Sequence, residues 1–427
     1  MKKINVIGAG LSGSEAAFYL ASKGYRVNLY EMRPVKESPA HHTSLFGELV
    51  CSNSLKNERL DNAAGLLKKE IQILGSLVME SAINNRVPGG NALCVDRHAF
   101  ATYITEKIST HPNIRIIHEE ITSLPEGINI IATGPLTSPS LVKELQKIVG
   151  ESFLSFYDAS APIITKDSIN FDKVYLKSRY NQDEGSYLNC PMNGDEYNLF
   201  YSELINAQKV ILHDFEKDSF FEGCQPIEVM AKRGRNTLRF GPLKPQGLEH
   251  GLQKPFAVVQ LRQDDFRDSL YTLVGFQTNL TYPEQKRIFS LIPGLENAEF
   301  IRYGLMHKNI YVCSPKILSS KLSLKDNEEI YLAGQLSGVE GYVESAMIGL
   351  VVAILLHLKL SGRAEILPPS TTICGALTRY IIYANPYHFS PMNAMFNLIP
   401  GYNKNDREKI GLEALRLIKN WKEDNNV

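Results

Sequence analysis

The chain has 427 residues, room for two or three domains, with the ordinary globular composition of 44% hydrophobic and 22% charged residues. Lys+Arg and Asp+Glu each number 46, so zero net charge excludes binding to a polyanion through the overall field and leaves only local basic patches for that role. The opening Met-Lys-Lys leads straight into a core strand, which predicts no secretion signal, and the longest apolar run, 346–356, is too short to span a bilayer and predicts a buried helix. The six cysteines, Cys51, Cys94, Cys190, Cys224, Cys313 and Cys374, show no CxxC or other metal-ligand spacing and are expected to be reduced thiols in the cytoplasm.

Residues 4–7 (INVI) predict a buried strand, followed at once by Gly8-Ala9-Gly10-Leu11-Ser12-Gly13. A helix is expected from about Ser14, with small residues Ala16, Ala17 and Ala21, and then a strand over 25–30 that ends in Glu31. Strand, GxGxxG, helix, strand and acid form a dinucleotide-binding fingerprint. Gly8 makes the tight turn, Gly10 admits a pyrophosphate, Gly13 lets the helix pack closely, and Glu31 suits a ribose hydroxyl. The free N–H groups and dipole of the helix start favour phosphate.

Pro34 breaks the strand, and residues 35–48 read as a polar loop with an exposed His41-His42 pair. A helix is predicted over 62–75, with Ala63, Leu66, Leu67, Ile71 and Leu74 on one face. A Pro-Gly-Gly loop at 86–91, a helix at 96–109 and a strand at 114–117 follow. The strand of 127–131 ends in Ala132-Thr133-Gly134, where Gly134 permits close approach of a dinucleotide. From about 155 to 305, tyrosines, short alternating runs and frequent turns predict an inserted, partly β domain. Residues 329–335 predict a strand ending in Ala-Gly; Gly334, Gln335, Gly341 and Tyr342 then lead into an apolar helix over 343–358 whose start again points at a ligand site. Ile410, Ala414, Leu417, Ile418 and Trp421 define a last amphipathic packing helix.

Three distant elements, 4–31, 128–134 and 330–345, thus converge on one cofactor, which favours FAD over NAD. Without a second GxGxxG, NAD(P)H is expected to dock transiently on the flavin rather than own a domain. The predicted fold is α/β: a Rossmann-like FAD-binding domain of the two-dinucleotide-fold type (1–155 and 305–427) with an inserted α+β domain for substrate (156–304).

Four stretches, Glu48–Lys56 (ELVCSNSLK), Phe221–Glu228 (FEGCQPIE), Arg233–Pro245 (RGRNTLRFGPLKP) and Gly334–Tyr342 (GQLSGVEGY), resemble the folate- and FAD-dependent tRNA (uracil-5-)-methyltransferases, relatives of the glucose-inhibited-division-A flavoproteins. The resemblance covers nearly the whole chain. It implies formation of 5-methyluridine in the T-loop of tRNA, with 5,10-methylenetetrahydrofolate as carbon donor and FAD reduced by NAD(P)H. It also implies two catalytic thiols, Cys224 as nucleophile and Cys51 as base. Uracil C5 is a poor nucleophile, and a thiolate adding to C6 makes C5 an enolate carbon. In Arg302–Asn309 (RYGLMHKN), His307 matches the family histidine that stacks on the folate pterin, while Lys308 stands where the family often has arginine. Tyr342 is expected beside the flavin. Lys232, Arg233, Arg235 and Arg239, close to Cys224 in sequence, would lower a thiol pKa and are candidates for RNA phosphates. Cys94, Cys190, Cys313 and Cys374 read as structural. RNA and folate are the expected partners, with no membrane and no obligate protein partner. Rival readings are the same chemistry on a 23S rRNA uridine, a thiol-linked flavin oxidoreductase and a non-catalytic RNA-binding flavoprotein.

Overall fold

The structure, a computed structural model, describes residues 3–38, 40–150, 153–179, 185–210, 225–249 and 254–427. Its centre is a five-stranded, all-parallel sheet in the order Ile330–Leu332, Ile128–Ile131, Ile4–Ile7, Val27–Glu31, Ile114–His118. The middle strand Ile4–Ile7 is buried at every position. A parallel strand covered on both faces needs such a continuous apolar run.

The helix Leu11–Ser22 begins three residues before the expected Ser14, because Gly10 is already its N-cap. Gly13 therefore sits inside the first turn, where a Cβ would lie 1.8 Å from the Gly8 carbonyl oxygen. The apolar helix Tyr342–Leu360 crosses Leu11–Ser22, and at Gly349 a Cβ would lie 2.2 Å from the Ser12 carbonyl oxygen. By length and composition this helix could cross a membrane, but 83% of its most apolar window is buried inside the protein, so it is the core helix that the 346–356 run predicts. The last helix, Arg407–Asn425, buries Ala414, Ile418 and Trp421, as its periodicity predicts.

Some elements are additions to those expected. Leu77–Asn84 and Pro139–Val149 are helices, each started by a serine side chain that accepts an N–H, Ser76 and Ser138 respectively. The expected loop at 86–91 contains the strand Arg86–Val87, which joins Ala92–Val95 and Ser54–Asn57 in a small antiparallel sheet. Arg86–Val87 is too short to show alternation and is held as a hairpin by Ala92–Val95, which Ser54–Asn57 pairs on its other edge.

A second core lies within residues 164–298. Its six-stranded sheet runs Tyr175–Leu176, Tyr187–Met192, Ala257–Gln263, Leu270–Leu273, Ile163–Thr165, Phe300–Arg302, with antiparallel pairing throughout. The helices Gly194–Asn206, Ile227–Lys232 and Tyr282–Phe289 contribute buried residues to this core, giving an α+β body. The paired strands Phe153–Ala159 and Met306–Val312 lie in the chain on either side of it.

Two buried carboxyls brace the first core at helix starts. Glu15 accepts the N–H groups of Leu77 (3.1 Å) and Val78 (2.8 Å), and Glu70 those of Ile373 (2.9 Å) and Cys374 (2.7 Å). Burial outweighs these hydrogen bonds and pushes Glu15 up to about 7 and Glu70 up to about 8, from 4.5. Folded pKa values above the unfolded one mean that their contribution, complete below 4.5, is lost as pH rises through 7 and 8. Thermal unfolding should therefore give a higher Tm at about pH 6 than at about pH 9, and Glu70→Gln should flatten that slope. An unchanged slope in the variant would refute the assignment.

Candidate active site

Two cavities hold the residues singled out in the sequence, one at the glycine fingerprint and one at Cys51. The first is lined by Gly8, Gly10, Glu31, Arg33, His41 and Thr133 among others. Gly8 has φ +97°, a left-handed conformation that favours glycine, and a Cβ there would meet the Ala132 carbonyl oxygen at 2.7 Å. A Cβ on Gly10 would meet nothing within 4 Å. The space above Gly10 is thus open to a ligand, while Gly13 is closed by protein. The helix start after Gly10 has no side-chain cap and no acidic residue in its first turn. The buried hydroxyl of Ser12 has no hydrogen-bond partner, and it faces Gly334. Uncapped N–H groups, an orphaned hydroxyl and an open glycine fit a pyrophosphate. Leu11 and Ala9 complete the turn, and the Ala9 N–H donates to Glu31 at 3.0 Å. Burial would raise the Glu31 carboxyl, but the Arg33 guanidinium, 3.0 Å away, and two backbone N–H groups outweigh it and hold the group below the usual carboxylate range.

His41 departs from expectation. It is not exposed: it lines this cavity, its Nδ1 lies 2.5 Å from the Ser38 hydroxyl, and burial followed by the charge of Arg33 pushes it down to about 4. His42 is exposed.

The second cavity, about 260 Å³, is lined by Cys51, Lys56, Gln277, Asn309, Gly341, Tyr342 and Glu344 among others. The N-terminus of Tyr342–Leu360 opens onto it without a side-chain cap. Gln335 lies on the same wall, and Gly134, just past the strand Ile128–Ile131, has no atom within 4 Å of a built Cβ.

Cys51 sits here on a segment gripped from several sides. The Tyr342 hydroxyl accepts the N–H groups of Cys51 (2.7 Å) and Ser52 (3.1 Å). Arg97 donates to the carbonyls of Leu49 (2.9 Å) and Cys51 (3.4 Å), and is itself held by Asp264 at 2.9 Å. Arg302 donates to the Val50 carbonyl. Arg262 donates to the Ser52 hydroxyl (2.7 Å) and to Asn53 Oδ1 (2.8 Å). Burial pushes the Tyr342 phenol up, reinforced by the neighbouring Cys51, so it stays a neutral anchor. Burial and the charge of Arg97 push Arg302 down. Arg262, Arg302 and Asp264 come from the second body, so both bodies fix one thiol. The cysteine is half-buried, with its Sγ 3.6 Å from the Ala159 carbonyl oxygen. Cys94, Cys190, Cys313 and Cys374 are buried, and burial pushes each of these thiols up.

Cys224 lies outside the described residues, as do the side chains of His307 and Lys308; the His307 backbone is on the strand Met306–Val312. The residues just after Cys224 are described. Gln225 and Pro226 are buried, and the Ile227 N–H donates to the carbonyl of cavity-lining Gln277 at 2.7 Å. Lys232, Arg233 and Arg235 are exposed on the second body. Arg239 is engaged internally: its guanidinium lies 3.6 Å over the Phe256 ring and its Nε donates to the Phe256 carbonyl.

Arg97, Arg262 and Asp264 have no sequence signal, since each is a charged residue without a motif. Lys56, inside the cysteine motif, takes φ +65° and reaches Glu344 at 3.1 Å, the kind of backbone strain that collects at functional sites.

The fold and these two cavities define a dinucleotide-binding protein of the flavoprotein type with a thiol at the inner cavity. Residues 3–364 match the family described as "Glucose inhibited division protein A". The chain is 54% identical over 409 residues to the methylenetetrahydrofolate--tRNA-(uracil-5-)-methyltransferase TrmFO of Staphylococcus carnosus, covering 95% of this chain and 94% of that one. It is also 54% identical over 426 residues to the TrmFO of Listeria innocua, covering 98% of each. In fold it is similar to Aquifex aeolicus GidA, with TM-score 0.69 and 15% identity over 100% of this chain and 75% of that chain. The chain belongs to the glucose-inhibited-division-A family, in its methylenetetrahydrofolate--tRNA-(uracil-5-)-methyltransferase (TrmFO) branch.

The glycine geometry separates two variants. Gly10→Val should fold and lose flavin absorbance, because its side chain fills open ligand space. Gly13→Val should fail to fold, because its Cβ meets backbone. A yellow Gly10→Val protein would refute the pyrophosphate assignment. Arg262→Leu should retain the cofactor and lower turnover by about 100-fold through misplacement of Cys51, which steady-state rates at saturating substrate would measure.

Proposed function

We propose that this protein methylates C5 of a tRNA uracil, making 5-methyluridine in the T-loop, with 5,10-methylenetetrahydrofolate as the carbon donor. The observation that carries the reading is the convergence on one cavity of the clamped Cys51 thiol, the open helix start at Tyr342 and Gln277, which holds the residues next to Cys224. FAD, when bound, supplies the electrons that turn the transferred carbon into a methyl group, and NAD(P)H restores them. The glycine turn, Ser12 and Glu31 would hold its pyrophosphate and ribose, and Gly134, Gly334, Gln335, Gly341 and Tyr342 would border the rest.

The protein's own part is covalent and proton chemistry. The Cys224 thiolate bonds to uracil C6 and drives the C5=C6 electron pair toward C5 and O4, so that C5 attacks the one-carbon unit. The Cys51 thiolate then takes the C5 proton, and the electron pair left on C5 expels the carrier nitrogen from the transferred carbon; once that carbon has been reduced to a methyl group, the C6–S bond breaks with return of its electron pair to Cys224. A base that removes one particular proton must be held within hydrogen-bond reach of it, which is the role of the grip on residues 49–53. His307 would stack on the pterin, and Lys232, Arg233 and Arg235 would face the RNA, with Arg239 held behind them on Phe256. The cytoplasm, with its reduced thiols and tRNA, is the compartment that suits this chemistry.

Cys224→Ala and Cys51→Ala should each abolish 5-methyluridine formation in a tRNA transcript, by nucleoside mass spectrometry, while keeping bound FAD. Full activity of either variant would remove that thiol from the mechanism. Methylation of an rRNA fragment in preference to the tRNA would move the substrate to the ribosome.

A further inference from the structure

The chain is neutral overall, with 46 residues of each sign, yet the second body exposes a run of cations that no described ion pair neutralises. Lys232, Arg233 and Arg235 are exposed and form no ion pair among the described residues. Arg235 instead donates to the Asn198 side chain. Lys209 lies beside Lys232, and burial and then the charge of Lys232 push it down against the opposing pull of buried Glu228. Like charges held together without neutralisation mark a surface built for an anion.

In the same motif Phe240 is 82% exposed. A lone exposed aromatic is ordinary in itself, but this one is presented on a rigid base. Leu238 and Leu243, on either side, are fully buried, and the Leu243 N–H donates to the Leu238 carbonyl at 2.9 Å. Arg239 is stacked on Phe256 and hydrogen-bonded to it, and the Tyr197 hydroxyl donates to the Arg235 carbonyl at 2.5 Å. The ring is therefore held in water by a segment that has no freedom to bury it. The surface is also close to the chemistry. The helix Ile227–Lys232 starts at Gln277, on the wall of the Cys51 cavity, and its six residues span about 9 Å before the cations begin.

We propose that Phe240 is a stacking platform for an unpaired base of the substrate RNA, and that Lys232, Arg233 and Arg235 hold the phosphates beside it. The inference rests on RNA being the substrate, as proposed above. A duplex hides its base faces, whereas a single-stranded loop offers them to an aromatic ring flanked by cations. Arg239 serves this site indirectly, as a positioning residue that fixes the segment through Phe256.

The test uses the full-length, FAD-loaded protein and a T-arm hairpin transcript, with affinity measured against salt concentration. Phe240→Ala should weaken binding by about 5- to 150-fold with the slope of log Kd on log salt unchanged. Lys232→Ala should lower that slope by about 0.7, the share of a single phosphate. Phe240→Trp, made in a Trp421→Phe background, should keep near-native affinity and show indole fluorescence quenched by the hairpin. Wild-type affinity in Phe240→Ala, with the wild type still binding and methylating the hairpin, overturns this inference alone. A wild type that neither binds nor methylates RNA overturns it together with the proposed function. Weakened binding of an acidic peptide with RNA affinity unchanged would assign the surface to a protein partner and overturn it too.

Discussion

The structure turns on the hydrogen bonds that hold residues 49–53. Three arginines and a tyrosine hydroxyl meet the backbone and side-chain polar groups of one short segment. Each charged donor on a carbonyl contributes about 1.5–3 kcal/mol, and each would leave a costly unpaired group if removed. The segment has no helix or long strand to stabilise it. Its geometry is imposed from outside, by Tyr342 and Arg97 of the parallel-sheet body and by Arg262 and Arg302 of the antiparallel one. Displacement of one body against the other would pull on the thiol directly.

The same logic links the cofactor cradle to this grip. The crossing of Leu11–Ser22 with Tyr342–Leu360, made close by Gly349, brings two uncapped helix starts to one side of the sheet. One start follows Gly10 and the other follows Gly341, whose neighbour Tyr342 anchors Cys51. The tyrosine thus belongs both to the start of its helix and to the grip on the thiol segment. The packing of these two helices sets how the glycine turn sits relative to the segment that carries Cys51.

The second body adds reach. Its strand Ala257–Gln263 carries Arg262 inward to the thiol segment, while its motif 232–240 faces outward with cations and an aromatic ring. Glu228, fully buried, accepts the Thr278 hydroxyl and the Asn279 N–H, which fastens the helix between these two regions. An RNA held on the outer face, as proposed, would be coupled through this helix to the cavity wall at Gln277.

The sequence by itself determined the parallel-sheet body and its glycine turn, while the two cysteine motifs were legible only through resemblance to a family. Those features are local: an apolar run, a glycine spacing and an acid within about thirty residues are all encoded by short-range sterics and hydrogen bonding. The inserted body was legible only as a change in composition; Leu77–Asn84 escaped because it is short and buried at most of its positions, whereas Pro139–Val149 carries a helical stripe, Leu141, Leu145 and Val149, that the sequence does show. Tertiary structure alone decided that His41 is enclosed, that Arg239 is occupied by Phe256 and that Arg97, Arg262 and Arg302 meet at Cys51. A buried arginine acquires its role from acceptors that lie far away in the chain, and no periodicity records which carbonyl it will find.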